Sequence, residues 1–342
     1  MSKPRWARWV TTGLLVLAIG ALVYTVHDIG LAEIGHRFGQ IGYLWFAVIA
    51  LEASITTLDA TAMRAFLSPD QDKIRWRDAL LAQLAGRAVN AVMPTGNIGE
   101  AVKVSVLVEH VSQSAAIAAI LLYNITSFMC ELATLVIACV LTLLLVPLPS
   151  GLQATIAISA GVAVVVIAAL YLAVRGGILV GIAKNLRRVR LISKPRFDKW
   201  AVELKSVDDK LNRVAGARTR DRAIGVCAII ASRATSLTLS AVMLIAVGAT
   251  LTVAFFAALQ VGGFVIYMVG SLVPMGIGVS EGGSDALFRA LRANGSSVND
   301  PSVGVTSVLA RRVTLVLYAA IGLVLVTTNM TVKRARERAR AR

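Results

Sequence analysis

Between Leu152 and Val174 the chain runs for 23 residues without one charged side chain. A stretch of that length and composition crosses the hydrocarbon core of a bilayer as a helix. In lipid every backbone N–H and C=O must be satisfied inside the protein, and a continuous apolar run does this by closing its own helical hydrogen bonds. Similar runs recur at about 9–26, at 41–63, within 111–146, at 223–247 and within 302–330. Composition agrees, since 57% of the 342 residues are hydrophobic and only 16% are charged. The class expected is an all-α polytopic membrane protein.

The formal net charge of +16 could suggest nucleic acid, but its placement points elsewhere. Basic residues gather between the apolar runs and at the C-terminus, as the positive-inside rule expects, so no nucleic-acid partner is predicted. Lys3, Arg5 and Arg8 place the N-terminus in the cytoplasm. The first run lacks a small-x-small cleavage site and reads as a retained anchor. His27 to Gln40 then forms a short outer loop. Arg64, Lys73, Arg75 and Arg77 bring the second run back to the inside. The stretch 175–222 holds 14 Lys and Arg and reads as a cytoplasmic loop. Surface helices held on anionic lipid, at about 1 kcal/mol per basic residue, are an overlapping reading of it. The basic tail 331–342 is also cytoplasmic. Cys130, Cys139 and Cys227 lie in apolar runs without a CxxC, and His27, His36 and His110 are scattered. Neither a disulfide framework nor a metal site is expected.

Two apolar regions do not read as plain spans. In 80–104 a run holding Arg87 stops at Pro94-Thr95-Gly96 and restarts with Glu100 and Lys103; in 251–291 a run stops at Pro274-Met275-Gly276-Ile277-Gly278 before Glu281. Pro removes a backbone donor and Gly permits a tight reversal. Each arm of the first region offers about 14 residues, roughly 21 Å, which is short of a core about 30 Å thick. The regions are therefore read as re-entrant hairpins, the first entering from the inside and the second from the outside. With about six full spans, this gives two halves of inverted topology, 1–147 and 152–330, a recurrent transporter plan with its site near the midplane. The rival reading is eight plain spans, with the second arm of each broken region counted as one.

Charged side chains inside the spans are costly in lipid, so they mark either a cavity or a partner. Arg87 and Arg233 fall about ten residues deep, roughly 15 Å. Arg311 and Arg312 are similarly deep if the last span begins near Ser302, but lie at the interface if it begins at Val313. Arginine beside Gly-rich breaks suits a phosphate, because its planar fork matches phosphate oxygens and helix N-termini expose N–H groups. The candidate substrate-binding set is therefore Arg87, Pro94, Gly96, Gly99, Glu100, Arg233, Pro274, Gly276, Gly278, Glu281, Arg311 and Arg312. Glu52, Asp59 and Glu131 are candidates for receiving a headgroup ammonium or carrying a proton. The structural alternatives stay open at this point. Arg87 could pair with Glu100 or Glu109 and only staple its hairpin, and Glu131 could be a structural partner of Arg233. Asp285 and Arg289, four apart, read as a local helix pair.

The sequence Arg87…Pro94-Thr95-Gly96-Asn97-Ile98-Gly99-Glu100, followed by Pro274-Met275-Gly276-Ile277-Gly278-Val279-Ser280-Glu281-Gly282, resembles the lysylphosphatidylglycerol synthase transmembrane-region family. This is the membrane part of the bacterial multiple-peptide-resistance factor and its stand-alone relatives. The resemblance covers about 9–330. Usual members read Pro-Gly-Arg-x-Gly-Glu and Pro-Gly-Gly-x-Gly-x-x-Glu-Gly, whereas here Thr95 and Met275 replace the Gly after each Pro, and Asn97 takes the basic position. The resemblance implies movement of an anionic or zwitterionic phospholipid, or of a polyprenyl- or hopanoid-linked lipid, between leaflets. The full synthase's aminoacyl transfer belongs to a separate soluble C-terminal domain. That domain is expected to be absent here, where the sequence ends 12 residues after Met330.

The function expected is thus a lipid flippase or scramblase, not an enzyme. There is no GxxxxGK[ST] loop, HExxH or HxxxxD, and no cofactor is predicted. The alternative is a membrane partner that binds or delivers lipid to an envelope-lipid biosynthetic enzyme without transporting it. A homodimer is also admitted, although no GxxxG seam marks an interface.

Overall fold

The computed structural model describes residues 31–92, 98–176, 219–271, 273, 276–293, 295, 297–315, 320–322 and 324. The first apolar run, nearly all of the basic loop 175–222, the tail 331–342, Pro94, Gly96 and Pro274 lie outside the described residues. In chain order the helices are α1 Leu31–Ile41, α2 Leu44–Ala65, α3 Trp76–Val92, α4 Ile98–Leu107, α5 Gln113–Leu145, α6 Ser150–Gly176, α7 Thr219–Ala246, α8 Val253–Gly270 and α9 Val279–Ala293. A tenth, α10, runs over Pro301–Gly322. Among the described residues six helices are long and apolar enough to cross a membrane: α2, α5, α6, α7, α8 and α10. The chain is an all-α, multi-pass membrane protein.

Helix boundaries follow local chemistry. Ser112 stands before α5 in an extended conformation and accepts a hydrogen bond from the Ala115 N–H at 3.4 Å. Thr252 does the same for α8 through the Phe255 N–H at 3.2 Å. Such caps satisfy donors that the first helical turn leaves open. Between α7 and α8, Gly248 adopts a φ of 88° and turns the chain. Asn299 then ties that turn to the segment before α10: its Oδ1 accepts from the Thr250 N–H at 2.7 Å, and its amide donates to the Thr250 carbonyl at 2.9 Å.

Two expectations need correction. Residues 27–40 were expected to be a loop, yet Leu31–Ile41 is helical. Phe38 packs against the apolar cluster that holds the fully buried Ile41. A helix sets residues three apart on one face, where it can bury them together. The second broken region was expected to be a re-entrant hairpin, but its first arm, α8, is 18 residues long, about 27 Å, and is long and apolar enough to span. The first region keeps a short arm, because α4 has 10 residues, roughly 15 Å.

α7 packs along α2, α5 is flanked by α6 and α8, and α3 and α4 lie against each other. Only 11% of the membrane window of α6 is buried, so most of its surface is left to lipid. The two largest apolar clusters frame the site. One joins Met63, Phe66, Ile74, Ala82, Leu107 and Ile229; the other joins Val48, Leu239, Met243, Phe255, Phe288 and Val303. On α2, the polar residues Glu52, Thr56 and Asp59 fall between Val48 of one cluster and Met63 of the other. On α7, Ser232 falls between Ile229 and Leu239. A polar layer is thus enclosed between two apolar ones.

Candidate functional site

Glu52, Thr56 and Asp59 occupy one face of α2 because they are spaced by four and three residues. All three are buried. Arg87, reaching over from α3, donates through Nη1 to Glu52 Oε1 and to Thr56 Oγ1, both at 2.9 Å, and through Nη2 to Asp59 Oδ2 at 2.8 Å. Asp59 Oδ1 accepts from Ser232 of α7 at 2.7 Å, and Glu52 Oε2 accepts from Arg311 Nη1 of α10 at 2.8 Å. Two arginines and two carboxylates cancel in charge. Removing Arg87 would leave Asp59 without its ion-pair partner in a low-dielectric layer, and removing Glu52 would leave Arg311 without its own. Arg87 therefore ties its hairpin to α2. Glu52 links elements that are 259 residues apart in the chain.

Arg312 points to the other carboxylate of the site. Its Nε lies 2.6 Å from Glu281 Oε1 and its Nη2 donates to Glu281 Oε2 at 3.2 Å. Adjacent residues on a helix diverge by about 100°, so Arg311 and Arg312 reach different partners. Glu281 is fully buried, and its Oε2 also accepts from the Gly278 N–H at 2.8 Å, which pins the first turn of α9. Gly276 and Gly278 have φ of 61° and 77°, conformations open to glycine at little cost. α10 begins at Pro301, which places both arginines inside the helix rather than at its start.

A cavity of about 480 Å³ opens among α3, α8, α9 and α10, lined by Asn90, Tyr267, Ser280, Ser284, Arg311 and Arg312 among others. The arginine side chains are 34% and 22% exposed, while Glu52 and Glu281 behind them are 1% exposed. Both arginines thus line the cavity, with the buried carboxylates Glu52 and Glu281 behind them. A second cavity of about 230 Å³ is lined by Glu131, Thr134, Arg233, Gln260 and Tyr267. There Arg233 Nη2 lies 3.4 Å from Glu131 Oε2, a longer pair than those in the arginine layer.

Other expected residues fall elsewhere. Gly99 sits where α3 and α4 approach each other: a Cβ there would run into the Gly86 carbonyl and the Asn90 side chain. Its N–H donates to Asn90 Oδ1 at 2.8 Å. Glu100 accepts from Lys103 at 2.9 Å and from Asn124 of α5 at 3.2 Å. Lys103 is buried, with its ammonium 5.4 Å from the centre of the Tyr123 ring. This network ties α4 to α5. Asp285 and Arg289 pair locally at 2.8 Å. Pro94, Gly96 and Pro274 lie outside the described residues.

Sequence reasoning missed Thr56, Ser232, Asn90, Ser280, Ser284 and Tyr267. Two of them carried a signal. Thr56 stands at helical spacing between Glu52 and Asp59, and Ser280 sits beside Glu281. The other four lie on helix faces whose neighbours only the fold supplies.

A protein-family model described as Lysylphosphatidylglycerol synthase TM region matches residues 10–322. No curated protein matches the chain.

Proposed function

Because the chain belongs to the lysylphosphatidylglycerol synthase TM-region family, we propose that it is a lipid flippase or scramblase whose headgroup site is the cavity in front of Arg311 and Arg312. The observation that carries this reading is the pair of arginines facing an opening of about 480 Å³ with buried carboxylates behind them. Arginine remains charged in any environment, and a guanidinium carries five N–H donors. Glu52 engages Arg311 through Nη1, so further donors of that side chain are available to a phosphate. Charge-assisted, forked hydrogen bonds of this kind are among the strongest a protein offers a phosphoryl group. When Arg311 turns toward a ligand, Glu52 keeps Arg87, and the buried carboxylate is never left alone. Arg233 and Glu131 form a second charged station, with Gly263 and Tyr267 lining both cavities.

In this reading the two broken regions belong to halves of opposite orientation, 1–147 and 152–330, with both termini on the cytoplasmic side of the bacterial inner membrane. The chain's own residues bind and pass a lipid. They do not catalyse a bond change.

A second reading is favoured by one observation: Arg87, Arg233, Arg311 and Arg312 each have a carboxylate partner. A protein that binds or delivers lipid to a biosynthetic enzyme, without transporting it, needs no ready cation. Reconstitution separates the two. Vesicles carrying the purified chain and a fluorescent anionic phospholipid are expected to exchange lipid between leaflets. Arg311→Gln, chosen because Glu52 keeps Arg87, is expected to slow exchange by about tenfold, the loss of one charge-assisted contact. Lipid binding without exchange supports the delivery reading, and exchange unaltered by Arg311→Gln overturns the arginine site.

A further inference from the structure

α8 carries two glycines in succession within its interior, and glycine is a poor choice in a helix. Gly262 has a packing reason, since a Cβ there would come within 2.6 Å of the Leu287 side chain on α9. Gly263 has no such reason: a Cβ there would meet nothing within 4 Å. What it does face is open space. Gly263 lines the arginine cavity, the Arg233 cavity and a third cavity of about 210 Å³.

That third cavity lies among α7, α8, α9 and α10, and its walls are mainly apolar: Leu239, Met243, Leu259, Leu287, Phe288 and Val308. It adjoins the arginine cavity, because Gly263, Ile266, Ser284, Val308 and Arg311 line both. Protein interiors close to crystal-like density, and a cleft walled by Leu, Met and Phe forfeits dispersion contacts unless something fills it. Water is a poor occupant of such walls. In a bilayer the apolar molecule at hand is a lipid tail, and the arginine next to the cleft fixes which end of that lipid points which way.

We infer that this cleft binds one acyl chain of the lipid whose phosphate sits on Arg311, and that Gly263 is the opening through which headgroup and chain are held together. The inference rests on the phosphate reading above and adds a tail site to it. The lipid then does not leave both tails in the bilayer while its headgroup crosses. One tail is drawn between the helices, and chain length becomes a determinant of recognition.

Ser240→Leu tests this at a residue that lines the tail cleft and not the arginine cavity. The probes are dihexanoyl and dioleoyl phosphatidic acid, bound to the purified chain in detergent and read by native mass spectrometry. Wild type is expected to prefer the long-chain lipid. Ser240→Leu is expected to weaken dioleoyl binding by about tenfold, the equivalent of displacing about two buried methylenes. Dihexanoyl binding stays as in wild type, and Ser240→Ala changes little. Equal weakening of both lipids, or none of either, overturns the tail site while leaving the phosphate site standing. Failure of wild type to bind either lipid overturns the phosphate reading and the tail site with it. A measurement on unmodified protein guards against a misfolded variant. Dioleoyl phosphatidic acid with a photoreactive group in one chain is expected to label the segments around Met243 and Leu287. Labelling confined to the lipid-facing side of α6 contradicts the inference.

Discussion

Glu52 accepts from Arg87 at 2.9 Å and from Arg311 at 2.8 Å while being 1% exposed, so one carboxylate holds two guanidinium groups in the membrane interior. Breaking a buried pair by removing one partner costs about 3–5 kcal/mol, because the remaining charge keeps its desolvation penalty. Glu52→Gln is therefore expected to destabilise the protein by that amount. Arg311→Gln costs less, since Glu52 keeps its hydrogen bond from Arg87 and the Arg311 side chain is itself 34% exposed. Thermal unfolding of both variants in detergent checks the order; equal midpoints would mean that the two arginines do not share the carboxylate. At this scale the site was partly legible in the residues themselves. The spacing of Glu52 and Asp59 put them on one face. Nothing in a single sequence says that Arg311 lies opposite, because that contact depends on how α2 and α10 pack. The same limit explains Gly99, which its motif suggested as a ligand-binding glycine. It instead sits where the α3 and α4 backbones meet.

At the level of elements, the breaks were readable because proline and glycine punctuate an apolar run for steric reasons that no context removes. Arm length was harder to read. The first region does hold a 10-residue helix too short to span, but Val253–Gly270 has the length and composition of a crossing helix. α1 was missed since a short amphipathic stripe beside polar residues looks like a loop until its apolar side finds a neighbour. The orientation of these elements rests on charge bias, and it makes a definite prediction. Gln113, at the start of α5, follows the first broken region, and Val298, 79% exposed, follows the second. In a background without the native cysteines, Gln113→Cys is expected to react with an impermeant thiol reagent from the cytoplasmic side. Val298→Cys is expected to react from the opposite side. Reaction of both from one side contradicts inverted halves.

For the whole molecule, the arrangement that matters is a polar layer enclosed by two apolar clusters, opened on one side by the cavity at Arg311 and Arg312. The clusters hold the helices in register, and the layer is electrically neutral through its carboxylates. This division was legible in outline, because charged residues inside spans announce a polar interior. The cavity was not legible, since it is made by what the facing helices leave unfilled, above all at Gly263. Cryo-electron microscopy of the chain in nanodiscs containing an anionic phospholipid tests this arrangement most directly. Phosphate density within hydrogen-bond reach of Arg311 or Arg312 is expected, with one tail running past Gly263. A cavity closed by side chains, or empty of lipid while every arginine remains on its carboxylate, would contradict it.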